Sequence, residues 1–252
     1  MKRLFAILLI IAFALLTACG SDDTLDAPLD VLDVPPSGVI IGATPTPQIN
    51  INAKASLSVG ATAAYIFSGL EGTTLYGAVE FTNTGETPLR VTNARFMFDV
   101  KGTQVAHEFA PVFCDYGAIL PGETSYVTLW LPRANLTTVG DITLTAELTP
   151  TVCENSRVDM GLSNLYLADN YPGVTTLSGR LHCIGEGCAI NIAYVGFYDA
   201  NEKFLGAWHF TKNARLEKGD QKNFVVNMDG LPIPNLAETT VSMKSLAYGF
   251  EY

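Results

Sequence analysis

The chain is predicted to be all-β, with two tandem antiparallel β-sandwich domains following an export leader and an extended tether. Three observations predict this. From about Ile49 onward, apolar residues alternate with polar ones in short runs separated by Gly, Pro, Asn and Asp, the period of half-buried strands. A set of landmarks in the first half recurs in order in the second, at offsets that stay between 97 and 102 residues. Beyond the leader, no stretch offers an amphipathic helix of three turns. The expected divisions are residues 1–18 as leader, 19–48 as tether, 49–156 as the first sandwich and 157–252 as the second.

The leader opens with Lys2 and Arg3, runs apolar from Leu4 to Leu16 and closes on Leu16-Thr17-Ala18-Cys19. An apolar core this short is a secretory signal and cannot span a bilayer. Cys19 marks a lipobox, so its thiol is the expected lipidation site. Cleavage would leave an acylated cysteine at the amino terminus, on a protein held in the cell envelope by its lipid. Gly20 follows it, where an inner-membrane retention signal would place an aspartate. The tether carries Ser21-Asp22-Asp23 and prolines at 28, 35, 36, 45 and 47. Proline-rich chain stays extended at roughly 3 Å per residue, which suits a spacer.

The first sandwich begins with Leu75, Gly77, Val79 and Phe81 alternating with Tyr76, Ala78 and Glu80. Asn83-Thr84-Gly85-Glu86 then turns the chain. Arg90 to Asp99, a Lys101-Gly102 turn and Val105 to Phe109 read as a hairpin. A long loop leads to Pro121-Gly122-Glu123, the strand Tyr126 to Leu131, and a last strand from Ile142 to Leu148. The second half echoes this order: Leu177-Ser178-Gly179 for Leu75-Tyr76-Gly77, Tyr198-Asp199 for Phe98-Asp99, Lys218-Gly219-Asp220 for Pro121-Gly122-Glu123, Leu231-Pro232 for Leu131-Pro132, and Thr240-Val241-Ser242 for Thr143-Leu144-Thr145. Any one pair is unremarkable, because Gly and Pro punctuate every β protein. The shared order and spacing indicate a duplicated module with a boundary near residues 155–159.

The succession of strand, Asn-Thr-Gly turn, strand ending in aromatic-Asp, turn, strand, Pro-Gly-Glu and final apolar strand resembles the FxLYD-type domain, an immunoglobulin-like module common in prokaryotic envelope lipoproteins. Val195-Gly196-Phe197-Tyr198-Asp199 matches its central motif, with Val195 in place of the first Phe. In the first half Arg95 falls at that position, unless the register slips by one to bring Phe96 and Phe98 inward. The resemblance implies two tandem immunoglobulin-like sandwiches used as adhesive or spacer units. By alternation Val195 and Phe197 point to a core, and Asp199 is expected to turn back onto backbone donors of the following hairpin. Reading Asp199-Ala200-Asn201 as a calcium loop fails, because the glycine and distal glutamate of such loops are missing.

The whole chain carries 15 basic and 25 acidic residues. Without Lys2 and Arg3 the mature chain has a net charge near −12, which makes nucleic acid and anionic lipid headgroups poor partners. Four cysteines remain after Cys19. An even number in an exported chain points to disulfides, with Cys114 to Cys153 and Cys183 to Cys188 the economical pairing and two other connectivities open. The second bridge would close the hairpin Ile184 to Gly187, where the first half has its Asn-Thr-Gly turn. A metal site using His182 beside Cys183 is the competing reading, but the Cys-x-x-Cys pairs and nearby histidines of zinc sites are missing. No metal and no cofactor are expected.

Catalytic motifs fail one by one. His107-Glu108-Phe109-Ala110-Pro111 has Pro where a zinc-protease helix needs its second His. Gly161-Leu162-Ser163-Asn164-Leu165 lacks the closing glycine of a nucleophile elbow, and Gly185-Glu186-Gly187 lacks the third glycine and helix of a dinucleotide site. With only His107, His182 and His209 available, the expected protein is not an enzyme but a non-catalytic binding or scaffold module, partnered by an envelope protein or polysaccharide. One strand suggests an alternative. Val127, Leu129 and Leu131 share a face, so Tyr126 and Trp130 project from the other, roughly 13 Å apart. If exposed, the two rings are candidate ligand-binding residues of a carbohydrate-binding module. If covered, they pack under the tether or against the second half. Trp208, which shares a strand face with Gly206 and Phe210, reads as core. A second alternative is an envelope hydrolase or its accessory subunit.

Overall fold

A computed structural model describes residues 54–69, 72–110, 117–132, 141–171 and 174–251. Cys19, the tether and Cys114 lie outside the described residues. Twelve antiparallel strands and one turn of helix make up the described chain: β1 (Leu57–Gly69), β2 (Gly72–Asn83), β3 (Leu89–Val100), β4 (Thr103–Ala110), β5 (Thr124–Pro132), β6 (Ile142–Val152), β7 (Val158–Tyr171), β8 (Val174–Cys183), β9 (Gly187–Tyr198), β10 (Phe204–Glu217), β11 (Gln221–Asp229), α1 (Leu236–Thr239) and β12 (Ser242–Phe250). The all-β class read from the sequence is what the structure has. No described helix is long and apolar enough to cross a membrane.

Strand order repeats. In the first half the sheets are β1-β2-β5 and β4-β3-β6. In the second half the same orders recur as β7-β8-β11 and β10-β9-β12, and a short β12–β7 pairing joins them into one six-stranded sheet. The hydrogen bonds that tie turns to strands recur as well. The amide of Asn83 donates to the Glu123 carbonyl (3.0 Å) and Gly122 donates to the Asn83 carbonyl (2.9 Å); Cys183 donates to Asp220 (3.0 Å) and Gly219 to Cys183 (2.9 Å) in the same pattern. Glu123 and Asp220 each cap the residue three positions earlier, accepting from the Leu120 amide at 2.7 Å and the Glu217 amide at 2.9 Å. The expected 156/157 boundary falls in the link between β6 and β7.

Turn chemistry accounts for several of these connections. Lys101 and Gly102 both take positive φ (53° and 81°) between Val100 and Thr103, which pair with each other. This is the two-residue hairpin whose twist matches its strands. The Asn83 side chain, 1 % exposed, accepts from the Gly85 amide at 2.9 Å and donates to the carbonyls of Thr87 and Ile119. Its amide group therefore holds the whole turn together. In the second half Asp199 accepts from the amides of Asn201 (2.8 Å) and Lys203 (2.9 Å), the local role expected of it.

Inside the first half, the β2 face carrying Leu75, Val79 and Phe81 packs on Phe96, Phe98 and Leu144; a side-chain carbon at Gly77 would meet Phe98 at 2.8 Å. Phe96 and Phe98 are fully buried, while Arg95 points out to Glu147. The cause is a register shift between Val91 and Asn93 opposite β6. A bulge adds one residue and reverses which residues face inward. In the second half Ala193, Val195 and Phe197 lie in the core, and Phe210 reaches across to Phe224 at 4.8 Å between ring centroids. From Asn191 to Tyr198 every residue of β9 is buried, so this strand is covered on both faces. Residues Ile49–Tyr252 belong to one compact unit with a continuous hydrophobic core.

Candidate functional site

The second face of β9 meets the first half, and the residues that cover it include the two singled out in sequence. Tyr126 is 2 % exposed. Its ring stacks on Phe204 at 5.8 Å, and its hydroxyl lies 2.9 Å from that of Tyr198. Gly196 makes room for it: a Cβ there would sit 2.4 Å from the Tyr126 ring. Trp130 is half-buried, edge-on to both Tyr76 (4.8 Å) and Trp208 (5.3 Å). Trp208, expected in the second core, is itself half-buried and contributes to this contact. The carbohydrate alternative required both rings in solvent, and the structure corrects that part of it: alternation placed Tyr126 and Trp130 on one face, but the second half covers that face.

Polar groups close the seam around these rings. The Tyr76 hydroxyl donates to the Ala207 carbonyl at 2.7 Å and accepts from the Ala207 amide at 2.9 Å, so one side chain satisfies both backbone groups of an outer residue on β10. Tyr198 donates to the Glu80 carboxylate, and the Lys244 ammonium sits 4.4 Å over the Tyr198 ring. Burial pushes the Tyr126 hydroxyl up to about 12, and raises Tyr76 and Tyr198 as well. These phenols therefore stay protonated and available as donors.

His209 lines the same seam, stacked on Tyr194 with its Nδ1 3.4 Å from Thr128 Oγ1. Burial lowers its pKa below the ordinary 6.5. A depressed imidazole binds its proton more weakly in the folded state, so this contribution to stability is complete above about pH 6.5 and is lost as pH falls toward the folded value. Denaturant unfolding between pH 7.5 and 5 is expected to show a loss of stability that is shallower in His209→Gln; identical slopes would remove His209 from the account.

Arg157 locks the link between halves. Its side chain is 4 % exposed. It donates to both oxygens of Glu123 (2.5 and 2.7 Å), to the Ala118 carbonyl (2.8 Å) and to Asp159 (3.2 Å), with its guanidinium 5.6 Å over the Tyr248 ring. Burial by itself would lower its pKa, but the hydrogen-bonded carboxylates of Glu123 and Asp159 raise it, so the charge is held. The arrangement is a buried bidentate pair, the geometry in which Arg outperforms Lys.

Among the described residues no group of three or more His, Cys, Asp and Glu is placed to hold a metal. The His182 Nε2 instead meets the Ser163 hydroxyl across β7 and β8. No described carboxylate hydrogen-bonds this imidazole, so the pair lacks the orienting third group of a triad. Of the four cysteines expected to form disulfides, Cys153, Cys183 and Cys188 carry free thiols and Cys114 lies outside the described residues. The expected Cys183–Cys188 bridge is therefore not formed in this structure. Cys188 Sγ donates instead to Asn191 Oδ1 at 2.9 Å and lies 3.4 Å from Met160 Sδ. Sequence reasoning missed Met160, because no linear spacing links it to the cysteines. Tyr166 and Phe67 are exposed aromatics among the described residues, and Tyr166 pairs with Ser178 on β8 beside the exposed Val225 of β11.

Comparison with protein-family models gives no match. Comparison with curated protein sequences gives none either. Among solved structures, a crystal structure of a Bordetella pertussis protein assigned as ApaA aligns over 73 % of this chain and 98 % of its own, at 14 % identity and a TM-score of 0.26. A likeness that low carries no argument for fold or function.

Proposed function

We propose that this chain is a lipid-anchored cell-envelope protein whose two tandem immunoglobulin-like repeats act as one rigid, non-catalytic binding or scaffold module. The observation that carries the reading is the seam: Tyr76, Tyr126, Trp130 and Arg157 join two repeats of one strand plan so that they present fixed faces to a partner. Support for the anchor comes from the leader and Cys19, and support for the module type from the likeness of Val195 to Asp199 to the FxLYD motif. The natural partner is an envelope protein or polysaccharide, met away from the membrane by way of the tether. Metabolic labelling with a fatty acid, followed by mass spectrometry of the amino-terminal peptide, tests the anchor: the expected result is an acylated Cys19 and loss of membrane association in Cys19→Ala. An uncleaved leader or an unmodified Cys19 would contradict it.

The Ser163–His182 contact favours one second reading, an envelope hydrolase. A fluorophosphonate probe that labels Ser163, with the label abolished by His182→Ala, would favour that reading; absence of labelling leaves the scaffold.

A further inference from the structure

We propose that Met160, Cys183 and Cys188 form a three-sulfur binding site for a soft monovalent metal ion, Cu(I), near the link between the two repeats. Met160 on β7 and Cys183 on β8 stand directly opposite in the antiparallel ladder, so both side chains leave the sheet on one face. Cys188, at the start of β9, brings its sulfur to 3.4 Å from the Met160 sulfur, and the Cys183 thiol faces the Gly185 carbonyl at 3.6 Å in the turn that joins β8 to β9. All three are buried: 7 % exposed at Met160, 2 % at Cys183 and 5 % at Cys188. Room for the sulfurs is kept by Gly249, where any side chain would strike the Cys188 Cβ and Sγ at 2.6 Å.

The donor set selects the ion. Two thiolates and a thioether are soft ligands of the kind Cu(I) prefers, whereas structural zinc takes four nitrogen or sulfur donors in a tetrahedron. His182, the neighbour of Cys183 on β8, points to the other face of the sheet and meets Ser163, so its imidazole does not join the sulfurs. Two sulfurs on one trigonal ion at about 2.3 Å each lie about 4 Å apart, so the observed spacing needs a shift of only about half an ångström. An entry path exists as well. Cys188 lines a surface groove with Glu186, Arg215, Glu217 and Glu251, in which Lys218 pairs with Glu186 and Arg215 with Glu217.

Both cysteines carry free thiols, and each gives up its proton as it becomes a ligand. Binding of one Cu(I) releases two protons, forms two copper–thiolate bonds and one copper–thioether bond, and transfers no electron. The rival fate of the same pair is oxidation: two thiols give up two protons and two electrons to an envelope thiol oxidase and become the disulfide expected from sequence. The two fates are mutually exclusive.

The test uses the full chain, purified anaerobically and titrated with Cu(I) against a chromogenic Cu(I) chelator. One equivalent of copper is expected to leave the chelator, with a thiolate-to-copper absorption band. Met160→Leu, which keeps the core volume, is expected to weaken binding at least 10-fold at an unchanged thiol count and an unchanged melting temperature, and Cys153→Ser is expected to bind like the wild type. Four results would each overturn the site: no copper withdrawn, Met160→Leu binding as tightly as the wild type, Zn(II) displacing the copper at equal concentration, or peptide mapping of protein taken directly from cells that finds Cys183 bridged to Cys188.

Discussion

Arg157→Met is expected to destabilise residues 49–252 by about 2–3 kcal/mol, read as a fall of roughly 5–10 °C in melting temperature for a chain of this size. Methionine fills much of the same volume, so the effect isolates the charge and its hydrogen bonds. Removing the guanidinium leaves Glu123 facing a buried wall with no cation, and leaves the Ala118 carbonyl without its donor. Fully buried pairs broken on one side cost about 3–5 kcal/mol; Glu123 is 26 % exposed, which lets water recover part of that. Glu123→Gln retains the cap on the Leu120 amide with a neutral oxygen. In the background of Arg157→Met it is therefore expected to recover about 1 kcal/mol, because no unpaired charge remains. A change below about 0.5 kcal/mol in Arg157→Met would mean that the link is not held by this ion pair.

Tyr76→Ala carries the larger expected effect, about 4–5 kcal/mol. The side chain is fully buried between Tyr65 and Trp130, and its removal leaves a cavity of aromatic size, for which about 3–5 kcal/mol is usual. Its hydroxyl also satisfies both the amide and the carbonyl of Ala207. Tyr76→Phe separates the two terms: the ring stays, both backbone groups lose their partner, and the expected cost is about 2 kcal/mol. Urea unfolding of the two variants against the wild type checks the division. If Tyr76→Phe unfolds at the wild-type midpoint, the hydroxyl does not fasten the halves together.

Much of this fold was legible in the residues, and the failures have physical causes. The strand Leu75 to Phe81 and the hairpin turn at Lys101-Gly102 follow from alternation and from the φ > 0 requirement of that turn. Strands β1 and β7 were not delimited, because bulges between Val59 and Thr62 and between Ser163 and Tyr166 break their alternation. The bulge at Thr92 likewise decided that Phe96 and Phe98, and not Arg95, face inward. Alternation correctly put Tyr126 and Trp130 on one face but could not say what covers it. A clue was present in Tyr194-Val195-Gly196-Phe197-Tyr198, an uninterrupted apolar run that signals a strand buried on both sides. Met160 left no such trace, since its relation to Cys183 and Cys188 exists only across the strand ladder.

Both tryptophans of the chain, Trp130 and Trp208, lie in the seam, one in each half and 5.3 Å apart. Intrinsic tryptophan fluorescence therefore reports the junction, while far-ultraviolet circular dichroism reports the strands of both halves. Guanidinium unfolding of the intact chain followed by both signals is expected to give one transition with coincident midpoints, as a single cooperative unit requires. A fluorescence transition that precedes the loss of strand signal, leaving two folded halves with a parted seam, would contradict the account.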